Sequence, residues 1–307
     1  MNVALFGAAG AIGRVLTPEL VARGHHVRVV GRDAERLRRA FGSQAEIVAA
    51  DLSDPAQARA AAEGMDAVVY LVGLPYPEFA RHPQLTKIAL EAARAAGVTR
   101  FVHVSTVYPF GRPRTPLVAE THPREPHTRK GAYRKAQEDL VLAANDPRGL
   151  RTLVVRLPDF YGPAVELSFA GAIFTAARNG KRANVVGPID TEHEWWFIPD
   201  SAPLIADLLE RDDAFGTDYN VAGERATTRR VAELAYAHAG RKPSLMVATK
   251  PLIWVLGRFD PIMRELYEMT YLWQTPVLLD DRKLRTVLGT IHRTPLSEGV
   301  ARTVDAA

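Results

Sequence analysis

Three glycines spaced by three residues, Gly7, Gly10 and Gly13, stand between a short apolar run and a helical pattern at the start of the chain. Such a turn suits a dinucleotide, because glycines let the backbone approach a pyrophosphate and the helix N-terminus offers it N–H groups and a positive dipole. The alternative is a helix cap that happens to be rich in glycine. We predict that the turn contacts a dinucleotide through Gly7, Ala9, Gly10, Ala11, Ile12 and Gly13.

The second apolar strand ends in Gly31-Arg32-Asp33, where such a fold meets the adenosine ribose. Arginine forms charge-assisted bonds with a 2′-phosphate, whereas an acidic residue accepts bonds from a 2′-hydroxyl and repels the phosphate. Because Arg32 comes first, the sequence favours NADP(H) as the cofactor and leaves NAD(H) as the alternative. Asp33 also suits the N-cap of the following helix.

Further candidate residues follow three other apolar strands. The carboxyl ends of parallel strands meet at one edge of a sheet, and ligands bind in the crevice outside that edge. We therefore predict a cofactor site that also includes Asp51, Leu52, Val72, Gly73 and Ser105, with Tyr108 nearby on the loop after its strand.

The elements that must position these residues alternate between apolar strands and amphipathic helices. This order predicts an α/β fold with a Rossmann-type doubly wound parallel sheet and a smaller C-terminal substrate lobe. We expect the cofactor-binding core over residues 1–160 and the lobe mainly over 161–307, with segments around 190–235 returning to the core. The aperiodic stretch 109–128 is predicted to be a long loop beside the active site.

Composition excludes several classes of site and partner. The 307 residues carry a net charge of +4 and no cysteine, which rules out disulfides, thiol nucleophiles and cysteine metal sites. The histidines form no ligand cluster, so we predict no metal. Scattered arginines argue against nucleic acid, and the absence of an apolar run near 20 residues argues against a membrane span, so we predict neither nucleic acid nor a membrane as a partner. A first strand at residue 2 leaves no room for a signal peptide, which favours the cytoplasm. The sequence does not decide whether the chain forms a homodimer.

Several motifs in order resemble the extended or atypical short-chain dehydrogenase/reductase superfamily, in particular the NAD-dependent epimerase/dehydratase group. The resemblance covers roughly residues 1–240. It implies that Ser105, Lys135, Leu157 and Tyr161 contact the cofactor and that the smaller lobe binds a small-molecule substrate. The motifs are Gly7-x-x-Gly10-x-x-Gly13, Asp51-Leu52, Ser105-Thr106, Lys135 with Glu138 and Asp139, Arg156-Leu-Pro158-x-x-Tyr161-Gly162-Pro163, Phe197-Ile-Pro-Asp200-Ser-Ala202 and Tyr219-Asn220-Val221.

The chain departs from that superfamily at its catalytic positions. The family pattern pairs a tyrosine with a lysine four residues later, and that spacing places both on one helix face. With Lys135 in the lysine position, the tyrosine position holds Gly131. The residue that assists catalysis after the fifth strand corresponds to Val107, which has no hydroxyl. The usual catalytic tyrosine is therefore expected to be absent.

Other side chains are candidates to handle the proton. Lys135, Tyr108 and Tyr133 are the predicted catalytic residues, with Tyr108 reaching into space left by Gly131. Tyr133 lies about 200° around the helix from Lys135, so it cannot simply replace the missing phenol. Tyr161 and the loop residue His127 are further alternatives, although each also suits a packing or surface role.

The C-terminal third is rich in aromatic residues, which suits either core packing or an apolar substrate. Arg178, Lys181, Arg182 and Arg225 are the cations that could bind a sugar-nucleotide diphosphate, although no pattern fixes their direction. The tail Leu284–Asp305 is predicted as a helix and a strand-like segment. The aromatic residues are Trp195, Trp196, Phe197, Trp254, Tyr267, Tyr271 and Trp273, and the amphipathic stretch before them contains Phe169, Ile173, Phe174 and Ala177.

These observations support three hypotheses on function. The first is an NADP-dependent oxidoreductase that acts on a small, partly apolar carbonyl compound. The second is an epimerase or dehydratase with a tightly held cofactor, which is weakened by the missing tyrosine because oxidation at its first step needs a base. The third is a non-catalytic regulator that senses the NADP/NADPH ratio, since it requires the binding glycines but not the catalytic pair.

Overall fold

A seven-stranded parallel sheet forms the centre of the protein, in a computed structural model that describes residues 1–165 and 170–307. The strand order is β10-β6-β5-β4-β1-β2-β3, so the direction of winding reverses between β1 and β4. Ligands bind at such a switch point in open α/β sheets. The predicted Rossmann-type fold is confirmed. Its strands are β1 Asn2–Phe6, β2 His26–Gly31, β3 Glu46–Ala49, β4 Ala67–Tyr70, β5 Arg100–Thr106, β6 Arg151–Leu157 and, much later in the chain, β10 Thr217–Asn220.

Helices cover both faces of this sheet because side chains on each strand alternate between them. In β1, for example, Val3 and Leu5 face one apolar core and Ala4 and Phe6 face the other. The first core includes residues of α1 Ala11–Ala22, α2 Ala34–Phe41, α7 Ser201–Glu210 and α12 Arg282–Leu288. The second includes residues of α3 Pro55–Ala62, α4 His82–Ala95 and α5 Arg129–Ala143.

The smaller lobe is built from two short sheets and three helices around a third core. Its apolar residues include Ile173, Phe174 and Ala177, whereas Phe169 lies outside the described residues. Strand β10 lies in this half of the chain but pairs with β6 of the main sheet. The domain boundary near residue 160 stays a prediction. The elements are β7 Asp159–Tyr161, β8 Ala183–Val186, β9 Glu192–Phe197, β11 Glu224–Thr227, β12 Leu245–Ala248, α6 Gly171–Asn179, α8 Thr228–His238 and α13 Leu296–Ala306.

The C-terminal part of the chain is mainly helical. The tail forms α12 and α13, so the predicted strand-like segment is wrong; buried Val300 and Val304 and the partly buried Leu296 recur every four residues, as on one helix face. Before them, residues 250–274 form α9 Lys250–Leu256, α10 Pro261–Tyr267 and α11 Tyr271–Gln274. Residues of this segment form a fourth apolar cluster with Phe79, Tyr108 and Phe110 at the carboxyl edge of the sheet.

Candidate active site

The turn between β1 and α1 has no room for side chains at two of its glycines. Gly7 has a φ of +84°, and a Cβ there would lie 2.9 Å from the backbone of Val72. A Cβ on Gly13 would lie 2.1 Å from the carbonyl oxygen of Ala8. Gly10 supplies the N-cap of α1 without a side-chain hydrogen bond. The backbone therefore forms a close cradle at the helix N-terminus, as a pyrophosphate requires.

A cleft of about 420 Å³ opens beside this turn at the switch point of the sheet. Most of the predicted cofactor residues lie in it, because the glycine turn and the ends of β2, β3 and β4 all reach the same edge. They are Gly7, Ala9, Gly10, Ala11, Ile12, Gly13, Arg32, Asp51, Leu52, Val72 and Gly73.

Other residues of the cleft were not predicted. In the sequence, Asp33 is the acid that would favour NAD(H) and a candidate N-cap, but it is not among the predicted cofactor contacts. Arg36 stands one helical turn after Arg32, and that spacing is a sequence signal for it. Arg81 has no motif around it, and Phe160 occupies an unspecified position of the motif Arg156-Leu-Pro158-x-x-Tyr161. The full unpredicted set is Gly31, Asp33, Arg36, Leu37, Ala50, Ser53, Leu71, Leu74, Arg81, Leu85, Phe160, Ala164 and Val165.

The charges of the cleft favour an anionic ligand near Arg32. Asp33 caps α2 by accepting a hydrogen bond from the N–H of Arg36 at 3.0 Å. Asp51 accepts hydrogen bonds from the N–H and the hydroxyl of Ser53, which lower its pKa, as do the nearby charges of Arg32 and Arg81. Both carboxylates thus have local partners.

Ser105 lies behind the cleft, in a buried polar network. Its hydroxyl donates to Glu138 at 2.6 Å, and Arg156 donates to the same carboxylate from Nε at 2.9 Å and from Nη2 at 2.8 Å. Arg156 also pairs with Asp218 at 2.7 Å. The structure therefore does not bring Ser105 into the cleft; the residue helps to fix α5 against β5 and β6.

This network sets which face of α5 meets the sheet. Lys135 is predicted to contact the cofactor, but it lies on the other face of the helix. Lys135 is half-exposed and pairs with Asp139 at 2.6 Å on the outer side of the helix, away from the cleft. Lys130 and Arg134 precede Glu138 by eight and four residues, and all three are buried. The inward pair at tyrosine–lysine spacing is thus Lys130 and Arg134.

The space expected beside Gly131 does not exist. A Cβ there would lie 2.6 Å from Cβ of Pro126 and 2.8 Å from the carbonyl oxygen of Tyr108. No side chain fits, so Tyr108 has no gap to enter at that position. Tyr133 is only partly buried and packs at the border of the fourth apolar cluster.

A group of polar side chains gathers instead at the carboxyl ends of β4, β5 and β6. The hydroxyls of Tyr76 and Tyr108 lie 3.1 Å apart, and burial raises the pKa of both phenols. Asp159 follows β6, and its charge also raises the pKa of Tyr76, Tyr108 and Tyr271. Burial raises the pKa of Asp159 to about 7. Asp159 can therefore exchange a proton near neutrality, whereas the phenols cannot readily do so.

Lys130 joins this group to the C-terminal segment. Its ammonium pairs with Glu265 and with Glu268, the latter at 2.7 Å, and lies 5.1 Å from the ring centroid of Tyr76. Arg134, behind it, donates to Gln137 at 2.6 Å. Lys130 and Arg134, the two inward cations of α5, thus both have partners within the protein.

The remaining predicted residues lie elsewhere. Leu157 is buried in the first core, and Tyr161 stacks on Phe174 in the smaller lobe, so neither lines the cleft. His127 is exposed and meets the ring of Tyr271 edge-on, with centroids 4.4 Å apart. No group of histidine or acidic side chains within residues 1–165 and 170–307 has the arrangement of a metal site. No helix in that same part of the chain is long and apolar enough to cross a membrane.

Comparisons with known proteins agree with the fold. A model of the NAD-dependent epimerase/dehydratase family matches residues 3–222. A quinoline-oxide ketoreductase from Stigmatella aurantiaca is 34% identical over 58% of this chain, and the match spans only 55% of that relative. Sterol demethylase protein B from Methylococcus capsulatus is 27% identical over 87% of this chain and 84% of its own length. A solved dTDP-glucose 4,6-dehydratase from Streptomyces venezuelae has a TM-score of 0.82 at 22% identity, covering 100% of this chain and 96% of that one.

Proposed function

The chain belongs to the NAD-dependent epimerase/dehydratase family, and on that basis we propose that it is an NADP(H)-preferring oxidoreductase that reduces a small, partly apolar carbonyl compound. The observation that carries the proposal is the position of Asp159. A carboxyl group with a pKa of about 7 stands at the same edge of the sheet as the dinucleotide cleft.

The residues of the cleft fit a phosphorylated dinucleotide. The glycine turn and the N-terminus of α1 would hold the pyrophosphate, and Arg32 and Arg36 would face the ribose. Asp33, the acidic residue that would select NAD(H), already accepts a hydrogen bond as the N-cap of α2. This arrangement supports NADP(H) over NAD(H).

The surroundings of Asp159 favour an apolar substrate. Most of the residues that line a narrow recess with it are apolar, and His193 and Glu194 complete the lining. The apolar ones are Val107, Pro158, Leu272, Pro276 and Val277. Two cations that could have bound a diphosphate have other partners, because Arg178 donates to the carbonyl oxygens of Asp305 and Ala307 and Arg225 lies 3.7 Å from Glu194. A sugar-nucleotide substrate is therefore less well supported.

The proposed reaction needs one hydride and one proton. The nicotinamide cofactor supplies the hydride to the carbonyl carbon when it is bound. Asp159, in its protonated form, donates the proton to the carbonyl oxygen and is reprotonated from water. The phenols of Tyr76, Tyr108 and Tyr271 keep the region around this carboxyl buried, which maintains its raised pKa.

A regulator without catalysis is the second candidate, and one observation favours it. The inward positions of α5 hold Lys130 and Arg134 in place of the tyrosine and lysine, and Lys130 pairs with two glutamates. A panel of aldehydes, ketones and quinones, followed by NADPH consumption, tests the choice. Turnover of an apolar carbonyl supports the reductase; tight cofactor binding without any turnover supports the regulator. Release of cofactor only on denaturation would instead favour an epimerase or dehydratase.

Replacing Arg32 with alanine is expected to weaken NADPH binding by about ten-fold or more and to change NADH binding by less than about two-fold. The reason is the loss of a charge-assisted bond to the 2′-phosphate, which is worth roughly 1.5–3 kcal/mol. Fluorescence titration of both cofactors measures the effect. The matched control is Arg38→Ala, since Arg38 belongs to the same helical region, pairs with Glu35 and is exposed. Equal losses for the two cofactors would contradict the phosphate role of Arg32.

A further inference from the structure

The helical pair α9–α10 presents an apolar surface to solvent. All but three of the exposed large apolar side chains in the described part of the chain lie in this pair, the others being Val21, Leu117 and Met246. Phe259, at the tip, is 86% exposed. Contiguous apolar surfaces of this kind mark sites of interaction. The hairpin surface consists of Leu252, Trp254, Val255, Leu256, Phe259, Ile262 and Tyr267.

The hairpin itself is closely packed. A Cβ on Gly257 would lie 2.9 Å from Cα of Arg264, so the two helices approach each other closely there. Asp260 caps α10 by accepting from the N–H of Ile262 at 2.7 Å. Ile253 and Leu266 are buried on the inner side. The exposed apolar residues therefore belong to the outer side of a packed element.

Cations border this surface, and the nearby acids already have partners. The guanidinium of Arg258 lies 5.4 Å from the ring centroid of Trp254, and the ammonium of Lys250 lies 5.2 Å from that of Tyr267. Arg264, on α10, is also exposed. Glu265 and Glu268 pair with Lys130, and Asp260 is the N-cap of α10. The free charge at the border is thus positive.

We propose that the α9–α10 hairpin docks the protein on an anionic lipid surface. An apolar centre with tryptophan and phenylalanine and a border of lysine and arginine matches the boundary between acyl chains and anionic headgroups. Trp254 and Phe259 enter that boundary, and Lys250, Arg258 and Arg264 contact lipid phosphates. Such docking needs no membrane-spanning helix. The prediction of no membrane partner rests on the lack of a long apolar run, and this proposal departs from it.

Docking on this side would place the lipid next to the candidate active site. Leu266 and Met269, on the inner side of the segment, belong to the same apolar cluster as Phe79 and Tyr108. This proposal goes beyond the reductase activity and does not depend on it. Its test therefore uses binding alone.

Vesicle flotation tests the docking directly. The full chain is mixed with phosphatidylcholine vesicles that contain or lack phosphatidylglycerol. We expect flotation with the anionic vesicles and its loss at high salt, because each cation near the surface contributes a factor of about five. Failure to float with anionic vesicles at low salt would overturn the proposal.

Trp254 also provides a spectroscopic signature, because the other three tryptophans are at most 3% exposed. Its 53% exposed indole should shift its emission to the blue on anionic vesicles and be quenched by brominated lipid. The Trp254→Phe variant should float but lose both signals. Signals that persist in this variant would place the contact elsewhere and overturn the proposal.

Paired substitutions separate docking through the hairpin surface from non-specific hydrophobic binding to vesicles. The double variant Phe259→Ser with Ile262→Ser should lower vesicle partitioning about ten-fold or more, because each substitution removes an apolar side chain that the parent buries on docking. Leu117→Ser with Met246→Ser is the matched control and should leave it unchanged. Equal partitioning of both double variants would overturn the proposal. Light scattering tests whether the hairpin surface binds a second copy of the chain instead. If the parent formed a concentration-dependent dimer but bound no vesicles, and the Phe259/Ile262 double variant did not dimerise, the proposal would also be overturned.

Discussion

Replacing Glu138 with alanine is expected to lower the free energy of unfolding by about 3–5 kcal/mol. The carboxylate is fully buried between Arg156 and the hydroxyl of Ser105. Its removal leaves the guanidinium of Arg156 buried with Asp218 and Asn220 as its remaining partners. Removing one of the two carboxylates that pair with a buried guanidinium is far costlier than losing a surface pair. Urea unfolding, followed by circular dichroism, measures the change.

The neighbouring residue offers a matched control. Asp139 follows Glu138 on the same helix but lies on its outer side, where it pairs with Lys135 and Arg124. Asp139→Ala should cost less than about 1 kcal/mol, because these pairs are partly exposed to water. If the two variants were equally stable, the buried network would not be what holds α5 in place.

The same network explains why the sequence predicted the sheet but not the orientation of α5. Apolar strands and the glycine turn carry their own signals, since burial on both faces requires continuous apolar runs and a close turn requires glycine. The inner face of α5 is instead polar: Lys130, Arg134 and Glu138 face inward, while Lys135 faces water. Hydrophobic periodicity cannot distinguish these faces, so tertiary partners determine them. The partners are Ser105, Arg124 and Arg156 for Glu138, and Glu265 and Glu268 for Lys130.

Other parts of the site depend on contacts between distant segments. Arg81 reaches the cleft from the end of a short helical turn before α4. Phe160 reaches it from β7, at a position that the motif Arg156-Leu-Pro158-x-x-Tyr161 leaves unspecified. The sequence shows Asp159 only as a carboxylate after a strand and gives no sign that its pKa is altered. Its altered acidity comes from burial beside residues of three other segments, Tyr76, Tyr108 and Tyr271. Such an effect follows from packing, which no spacing rule conveys.

Replacing Asp159 with asparagine is expected to lower the rate of carbonyl reduction about 100-fold or more, the usual contribution of a positioned proton donor. The pKa of this carboxyl is raised by burial to about 7, so its protonated form dominates below pH 7. The parent rate should therefore fall as the pH rises through 7, and the profile of Asp159→Asn should be flat there. Rates measured from pH 5 to 9 at saturating NADPH test this (the range is roughly two units on either side of the pKa).

Tyr108→Phe separates the two candidates for the proton donor. Burial and the charge of Asp159 raise the pKa of this phenol above its ordinary value, so it is a poor donor near neutrality. We expect Tyr108→Phe to lower the rate by less than about ten-fold and to keep the pH dependence of the parent. The reverse result, an inactive Tyr108 variant and an active Asp159 variant, would assign the proton to Tyr108.

The pH dependence of stability reports on the protonation of Asp159 without the need for a substrate. Because its pKa is raised in the folded protein from the ordinary 3.8 to about 7, the folded state binds the extra proton between these values. The favourable contribution of the protonated carboxyl is present below about pH 4 and is lost as the pH rises towards 7. The midpoint of thermal unfolding of Asp159→Asn, relative to the parent, should therefore be higher at pH 8 than at pH 4. Glu194, whose pKa burial also raises to about 7, lines the same recess, so the comparison is repeated in a Glu194→Gln background. A constant difference across this range would mean that Asp159 has ordinary acidity, and the proton would then have to come from another group.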